Sequence, residues 1–322
     1  MISIAIMGYG VVGSGVAEIC RINGDLIKKR TGQEIHVKKI LDKRDFPDDP
    51  LSDRITHCAS DIFNDPEISV VVETIGGTEA AFELSKQALL SGKHVVTSNK
   101  ELVASHGPEL LSLSAERKIS YMFEASVGGG IPIIRPLHKC LAANRIEKVA
   151  GILNGTTNYI LTRMEHEGIR FDQALTEAQK KGYAEQNPTA DLDGLDAARK
   201  LAILASTTLG EFVDYRQIYT EGITTITPTD LLYARNLKMK LKLIGRFQVL
   251  QNGCADMIVA PMFIPQSHPI AVADDVYNAI MVEGNVLEKP CSTDRALENY
   301  RQPAPLWRTS SSVPCILAVC RI

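Results

Sequence analysis

Ile2-Ser-Ile-Ala-Ile-Met7-Gly8-Tyr-Gly10-Val-Val-Gly13 is the stretch that decides the fold. Its first six residues form an apolar run of strand length, the three glycines follow at once, and a helical pattern is expected from about residue 14 to residue 29. A GxGxxG by itself is a weak signal, for which a plain glycine turn is explanation enough. Between a strand and a helix it acquires a mechanism. Gly8 allows the tight turn, Gly10 lets backbone approach a pyrophosphate, and Gly13 lets helix and strand pack closely. The helix start then offers N–H groups and a positive dipole end to phosphates. Gly8, Gly10, Val11, Val12 and Gly13 are therefore the candidate contacts of a dinucleotide.

The alternation of strand-like and helical stretches continues. Ile35–Leu41, Ile68–Glu73, His94–Thr97 and residues 119–123 read as strands, and residues 79–91 and 108–117 as helices. That order predicts an α/β fold, a Rossmann-type doubly wound parallel sheet over residues 1–130. Ligands of such sheets bind at the carboxyl ends of the strands. The polar loops there are Thr74-Ile75-Gly-Gly77 and Thr97-Ser-Asn-Lys100, so both should face the cofactor. The second strand ends Leu41-Asp42-Lys43-Arg44. An acid there suits the ribose 2′-hydroxyl of NAD, whereas Lys43 and Arg44 suit the 2′-phosphate of NADP. The lean is towards NADP, with solvated loop charge an equal account of each residue singly.

At 322 residues and 45% hydrophobic, the chain can bury a sizeable core and is long enough for two domains. A net charge of -3 supplies no basic field for nucleic acid or an anionic membrane. No apolar run approaches the roughly 20 residues of a membrane span. The N-terminus lacks a basic region and a cleavage site, so it reads as a strand and not as a signal peptide. Seven cysteines without CxxC or regular spacing point to reduced thiols in the cytoplasm.

The polar segment Gly182-Tyr-Ala-Glu-Gln-Asn-Pro-Thr-Ala-Asp-Leu-Asp-Gly-Leu-Asp-Ala-Ala-Arg-Lys200 carries Glu185, Asp191, Asp193, Asp196 and Lys200. Asp196 and Lys200 are four apart and share a helix face. Alone, the segment would be a solvated helix start. Around it stand Val71-Val-Glu-Thr-Ile-Gly-Gly77, His94-Val-Val-Thr-Ser-Asn-Lys100, Glu124-Ala-Ser-Val-Gly-Gly-Gly-Ile-Pro-Ile-Ile-Arg-Pro136 and Gly151-Ile-Leu-Asn-Gly-Thr-Thr-Asn-Tyr-Ile160. In this order the motifs closely resemble the homoserine dehydrogenase family, almost continuously from residue 2 to about residue 288.

The resemblance implies NAD(P)-dependent interconversion of L-homoserine and L-aspartate 4-semialdehyde, on the route to threonine, methionine and isoleucine. Oxidising a primary alcohol needs a base for the hydroxyl proton while hydride leaves carbon for a nicotinamide. By resemblance Lys200 is that acid/base, and Lys100 stands by both nicotinamide and substrate. A lysine serves as a base when burial or a second cation disfavours its charge, and Asp196 would work against this if close. Substrate contacts by resemblance are Glu185, Tyr183 and the backbone at Gly155, with Glu185 and Asp196 the natural acceptors of an ammonium. Thr156 or Thr157 would cap the helix that begins there. Asp191 is placed at the substrate end of the site, and with Asp193 is expected mainly to cap the helix carrying Lys200. The family usually has an acid where Asn187 stands.

The glycine run Gly128-Gly-Gly130 could be only a domain hinge. By resemblance a monovalent cation such as sodium sits there, held by Glu124 and by carbonyls of Val127, Gly129 and Ile131, an oxygen-only set that suits a hard ion. Residues 131–288 are expected to form an α+β domain for substrate binding, catalysis and dimerisation, with strands over 146–153, 258–264 and 279–282. By resemblance its mixed sheet pairs across a homodimer.

Residues 289–322 depart from the family, which continues with Tyr-Gly-Pro-Gly-Ala-Gly and then Pro-Thr-Ala-Ser-Ala-Val. Back-translation accounts for the departure. Allowed codons for Pro290 to Ser310, read from each third base, give Val-Leu-Tyr-Gly-Pro-Gly-Ala-Gly-Lys-Leu-Pro-Thr-Ala-Ser-Ala-Val-Val-Ala-Asp-Leu. A match of that length points to a frameshift near residues 288–290. The alternative reading of the chain is accordingly a dinucleotide-binding homologue whose catalysis is impaired by the altered tail. Sequencing the DNA across codons 285–312 should reveal an overlapping frame that encodes the glycine motif. A frame that encodes Cys291 and Trp307, with no such alternative, would refute the frameshift.

Overall fold

The computed structural model describes residues 1–286 and the backbone of Cys291–Arg295. Residues 287–290 and 296–322, which carry most of the altered tail and of the frameshift reading, lie outside the described residues. Two compact units are present, Met1–Ser126 and a second that begins at Val127.

The first unit runs β1 (Ile2–Met7), α1 (Val11–Ile22), α2 (Gly24–Thr31), β2 (Ile35–Leu41), β3 (Ile55–Thr56), α3 (Ser60–Phe63), β4 (Ile68–Glu73), α4 (Glu79–Leu90), β5 (His94–Thr97), α5 (Lys100–Arg117) and β6 (Tyr121–Met122). Its six strands are all parallel, in the order β3-β2-β1-β4-β5-β6. The chain winds outward from β1 to β3, then returns past β1 to β4, so the order reverses between β1 and β4. A crevice at the carboxyl ends of those two strands is where such sheets bind ligand. Ile4 and Ile6 of β1, with Val70, Val72 and Val96, pack against Val16, Ala17 and Cys20 of α1 and Ile27 of α2. Alternation turns Ala5, Met7, Val71 and Val95 to the opposite face, where they are buried as well. Cover on both sides explains why β1 and β4, at the middle of the sheet, read as near-continuous apolar runs.

Two helix boundaries differ from the sequence expectation. The single helix expected over 14–29 is two, because the chain breaks at Asn23, whose N–H closes α1 on the Ile19 carbonyl at 2.9 Å. Helix α5 starts at Lys100 instead of residue 108. Asn99 caps it by accepting from the Leu102 N–H at 3.0 Å, and Pro108 lies inside, where it removes one N–H without ending the helix.

The second unit runs β7 (Ile146–Ile152), α6 (Gly155–Glu167), α7 (Phe171–Lys180), α8 (Thr189–Leu192), α9 (Leu195–Leu209), β8 (Tyr219–Thr220), α10 (Pro228–Asn236), β9 (Met239–Val249), β10 (Ala255–Pro265), β11 (Tyr277–Gly284) and β12 (Cys291–Arg295). Its sheet has the order β12-β11-β7-β9-β10-β8, antiparallel except for the pair β10 and β8. A Cβ on Gly245 of β9 would stand 2.9 Å from Leu153 and 3.7 Å from Leu201 of α9, so glycine lets that helix lie close on the sheet.

Strand β9, the centre of this sheet, was not expected. Its Lys240 and Lys242 alternate with leucines, a pattern that reads as a face turned to water. Lys242 is in fact fully buried, with 0% of its side chain exposed. Its ammonium donates to Asn158 Oδ1 at 2.8 Å, the Ala273 carbonyl at 3.0 Å and Asp274 Oδ1 at 2.8 Å. Lys240 donates to both oxygens of Asp274, at 2.8 and 2.7 Å. Burial pulls the Lys242 amine below its ordinary range, and the charge of Asp274 opposes this.

Removing the acid from this cluster would leave a buried charge without its counterion. Asp274→Ala is expected to cost roughly 3 kcal/mol in urea unfolding of the full chain. Asp274→Asn keeps an acceptor and should lose less. An unchanged midpoint for both variants would contradict the cluster's structural role.

Candidate active site

In the first unit the glycine loop joins β1 to α1 at the switch point. Gly8 has φ +93°, and a Cβ there would lie 2.8 Å from the Thr74 carbonyl oxygen. One on Gly13 would lie 2.0 Å from the Gly8 carbonyl oxygen. Gly10 differs, since no described atom lies within 4 Å of its Cβ position. Glycine is thus needed for packing at positions 8 and 13, and leaves open space at 10. Thr74 ties the loop to the end of β4 by donating towards Gly8 O at 2.7 Å and Met7 O at 3.1 Å. Val11 and Val12 open α1, whose N-terminus has no side-chain cap. A glycine turn leading into a helix start fits a dinucleotide pyrophosphate.

At the end of β2, Asp42 accepts the Tyr9 N–H at 2.7 Å and is bonded by Arg44 through its Nε at 3.0 Å and Nη2 at 3.1 Å. The Arg44 side chain chiefly, then the backbone N–H groups of Arg44 and Tyr9, hold this carboxyl at about 2 against the opposing effect of burial. Arg44 also lies over the Phe46 ring at 5.0 Å. Lys43 is next to this cluster in the chain. Thr97 ends β5, and Lys100 is the first residue of α5.

In the second unit the centre of the candidate site is Asn154, the residue after Leu153 at the end of β7. Its side-chain oxygen accepts from the N–H and hydroxyl of Thr157 at 2.8 and 2.9 Å, and so caps α6. Its amide nitrogen donates to Asp191 Oδ1 at 2.7 Å and to Asp196 Oδ2 at 2.9 Å. The same Asp196 oxygen pairs with Lys200 at 2.7 Å, and Lys200 also donates to the Leu153 carbonyl at 2.8 Å. Lys200 is 6% and Asp196 1% exposed, so the ion pair is a buried one.

Two expectations are corrected here. Asn154 caps α6, not Thr156 or Thr157. The Thr156 hydroxyl instead donates to the Tyr183 carbonyl at 2.6 Å. Neither Asp191 nor Asp193 caps α9, whose N-cap is Gly194 in the left-handed conformation, φ 83°, without a side-chain cap. That turn directs Asp191 to Asn154 and leaves Asp193 closing α8 through its N–H to Thr189 O.

Gly155, the first residue of α6, is buried. Tyr183 is half-buried in the loop after α7, its ring edge-on to Tyr159 at 4.9 Å. Tyr159 in turn donates to Glu177 at 2.9 Å and accepts from Lys181 at 2.9 Å. Glu185 is exposed in the same loop, and its carbonyl accepts from Gln179 at 3.2 Å. Asn187, at the family's acidic position, accepts from the Thr189 hydroxyl at 2.6 Å. The structure therefore brings together Gly155, Tyr183, Asp191, Asp196 and Lys200 through Asn154 and Thr156. The roles of these two were missed because an Asn or Thr beside a helix start already has a local explanation.

For the expected cation, Glu124 is buried in a short turn, Glu124–Ser126, at the end of the first unit. At the start of the second, Gly128 and Gly129 have φ +78° and +60°, and the Ile131 N–H donates to Gly128 O at 3.0 Å. Each unit thus carries oxygen donors of the kind that suit a hard ion, a carboxylate in the first and backbone carbonyls in the second.

Similarity to known proteins follows both units. A family model described as homoserine dehydrogenase matches residues 132–296, and one described as homoserine dehydrogenase, NAD binding domain, matches residues 8–124. The homoserine dehydrogenase of Pseudomonas aeruginosa is 42% identical over 289 residues, 89% of this chain and 66% of its own length. That of Bacillus subtilis is 40% identical, with 89% and 66% covered. The chain thus spans about two thirds of the length of these relatives. The crystal structure of a homoserine dehydrogenase from Thiobacillus denitrificans superposes with a TM-score of 0.90 at 38% identity, over 99% of this chain and 72% of that one.

The hub role of Asn154 is open to measurement. Asn154→Ala removes a helix cap and a donor to two buried acids, and should cost roughly 2–3 kcal/mol of stability in denaturant unfolding. A loss no larger than about 0.5 kcal/mol, the usual effect of a surface change, would contradict that role.

Proposed function

The chain belongs to the homoserine dehydrogenase family, and from that premise we propose that it interconverts L-homoserine and L-aspartate 4-semialdehyde with a nicotinamide dinucleotide, NADP in preference to NAD. The observation that carries the reading is the buried Lys200, bonded to Asp196 and to the Leu153 carbonyl at the end of β7.

A bound nicotinamide supplies the hydride acceptor. Paired with Asp196, the Lys200 ammonium gives its proton to the aldehyde oxygen as hydride arrives, and the neutral amine left behind takes the hydroxyl proton in the reverse, oxidising direction. Asp196 and Asn154 fix the Lys200 amine in place, and Glu185 with Asp196 provides carboxylates for the substrate ammonium. Gly155, with Tyr183, meets the rest of the amino acid, and an N–H at the start of α6 is suited to its carboxylate. Lys100 adds positive charge beside nicotinamide and substrate.

On the nucleotide side, Gly8, Gly10, Val11, Val12 and Gly13 cradle the pyrophosphate, with Thr74, Ile75 and Thr97 on the neighbouring loops. The lean towards NADP is supported by Asp42, whose carboxylate is already engaged by Tyr9 and Arg44. Lys43 and Arg44 are the cations for a 2′-phosphate. Glu124 and the carbonyls of Val127, Gly129 and Ile131 would hold a sodium ion with a structural role. The proposal extends to a homodimer in the cytoplasm. Among the described residues no helix is long and apolar enough to cross a membrane. A second reading, nucleotide binding without turnover, is favoured by the altered residues 289–322.

Nicotinamide reduction with L-homoserine, followed spectrophotometrically with NADP and with NAD, tests the proposal. Turnover is expected, with the higher kcat/KM for NADP. Lys200→Met should lower kcat about 100- to 10,000-fold, the range of a lost general acid/base. NADP binding by a folded chain that turns over neither cofactor would favour the second reading. A full rate from the Lys200 variant would reject the acid/base.

A further inference from the structure

Glu73, the last residue of β4, has 0% of its side chain exposed and no cation bonded to it among the described residues. It is flanked in the sheet by Met7 of β1 and Thr97 of β5. Its Oε1 accepts the Ile75 N–H at 2.6 Å, and its Oε2 accepts the Thr97 hydroxyl. Thr97 Oγ1 accepts the Asn99 N–H at 2.9 Å. Asn99 Nδ2 then donates to the carbonyls of Ile75 at 3.0 Å and Gly77 at 2.7 Å, while its Oδ1 caps α5. These bonds form a closed ring: Glu73 to Ile75, Ile75 to Asn99, Asn99 to Thr97, and Thr97 back to Glu73. The ring joins the two loops that follow β4 and β5 and sets the start of the helix on which Lys100 stands.

We propose that Glu73 is a positioning residue for the dinucleotide: its ionised carboxylate closes this ring and holds the loops at 74–77 and 97–100 in one register, and its protonation slackens the ring and weakens nucleotide binding. The proposal rests on the reading of the chain as a dinucleotide-dependent dehydrogenase. Its physical basis is the charge on the carboxylate end of these hydrogen bonds. An ionised carboxylate only accepts, so the Thr97 hydroxyl donates to it and keeps a lone pair for the Asn99 N–H. A proton on Oε2 reverses that bond, because the hydroxyl can turn its own hydrogen away and accept on its second lone pair; the ring stays connected, but the links to Thr97 and Ile75 lose the charge that strengthens them.

The ionisable groups around Glu73 leave it as the one that switches. Burial is the largest influence on it and pushes it up to about 7, against the bonds from Thr97, Ile75 and Asn99. On β6, Tyr121 is held neutral, its phenol driven well above its ordinary range by burial first and by the charge of Glu73 second. Lys100 follows Asn99 at the first position of α5. The stability consequence has a definite sign. A carboxyl raised in the folded state contributes stability that is full below its unfolded value, near 4.5, and lost as pH rises through about 7. Ionised Glu73 therefore lowers stability, and a residue retained for stability alone would be better neutral.

NADPH fluorescence titration of the full chain and of Glu73→Gln tests this, with hydrogen exchange of residues 74–77 and 97–100 in the ligand-free wild type. Wild type should bind about fivefold tighter near pH 8 than near pH 6, the effect of one hydrogen bond, with a midpoint near 7. The Gln variant should bind weakly throughout, retaining only the part of the profile that belongs to the nucleotide, yet unfold at a higher temperature near pH 8. Intrinsic-rate-corrected exchange of both wild-type loops should quicken below pH 7, a readout that needs no variant. A Gln variant with the wild-type affinity and profile, or loop exchange indifferent to pH, would overturn the proposal while leaving the dehydrogenase reading intact. A wild-type chain that binds no NADPH at any pH would overturn both.

Discussion

The side-chain amide of Asn154 supports most of the candidate site in the second unit. An amide has two N–H donors and one oxygen with two lone pairs, and here all are engaged: two carboxylates on one side, and the N–H and hydroxyl of Thr157 on the other. A buried ammonium and a buried carboxylate are tolerated only when their geometry is good and further hydrogen bonds complete it. Asn154 supplies such a bond to Asp196, and Leu153, one residue earlier, accepts from Lys200. The end of one strand, the cap of α6 and the first turns of α9 therefore depend on a single residue.

The first unit meets a related constraint by other means. The turn proposed as its nucleotide cradle is backbone, and what it requires of the sequence is the absence of side chains. Gly8 and Gly13 leave room for the Thr74 and Gly8 carbonyls, and Gly10 leaves room towards the solvent side of the turn. Around the neighbouring loops the order comes from side chains, in the ring through Glu73, Thr97 and Asn99. Both units use an asparagine at a helix start, Asn99 and Asn154, to satisfy N–H groups and tie another segment to the same point. One short amide can do both because its oxygen caps while its nitrogen reaches outward.

Which features were legible in the sequence follows from how local their causes are. Ile35–Leu41, Ile68–Glu73 and His94–Thr97 appear as strands at their expected bounds: the last two are apolar through their centres because both faces are covered, and the first is marked by the apolar residues at 35, 37, 40 and 41. The glycine spacing at 8, 10 and 13 likewise encodes one turn. Strand β9 was illegible, because its buried Lys242 carries the pattern of a solvated face and its partners Asn158, Ala273 and Asp274 come from distant segments. In the site, Asp196 and Lys200 could be paired from their spacing of one helical turn. Asp191 could not be assigned, since its partner lies 37 residues away in the chain.

The sequence by itself determined the winding of the first unit, the position of its glycine turn, the family, and the helix face shared by Asp196 and Lys200. Each of these is written in periodicity or spacing over a few residues. Tertiary structure alone decided that Lys242 lies at the centre of a sheet, that Asn154 and not a threonine caps α6, that Asp191 bonds Asn154 instead of a helix end, and that Glu73 closes a ring between two loops. The physical reason is common to all four. The cost of burying a charge or an amide depends on the partners that meet it, and those partners are brought together by folding across dozens of residues that no local pattern connects.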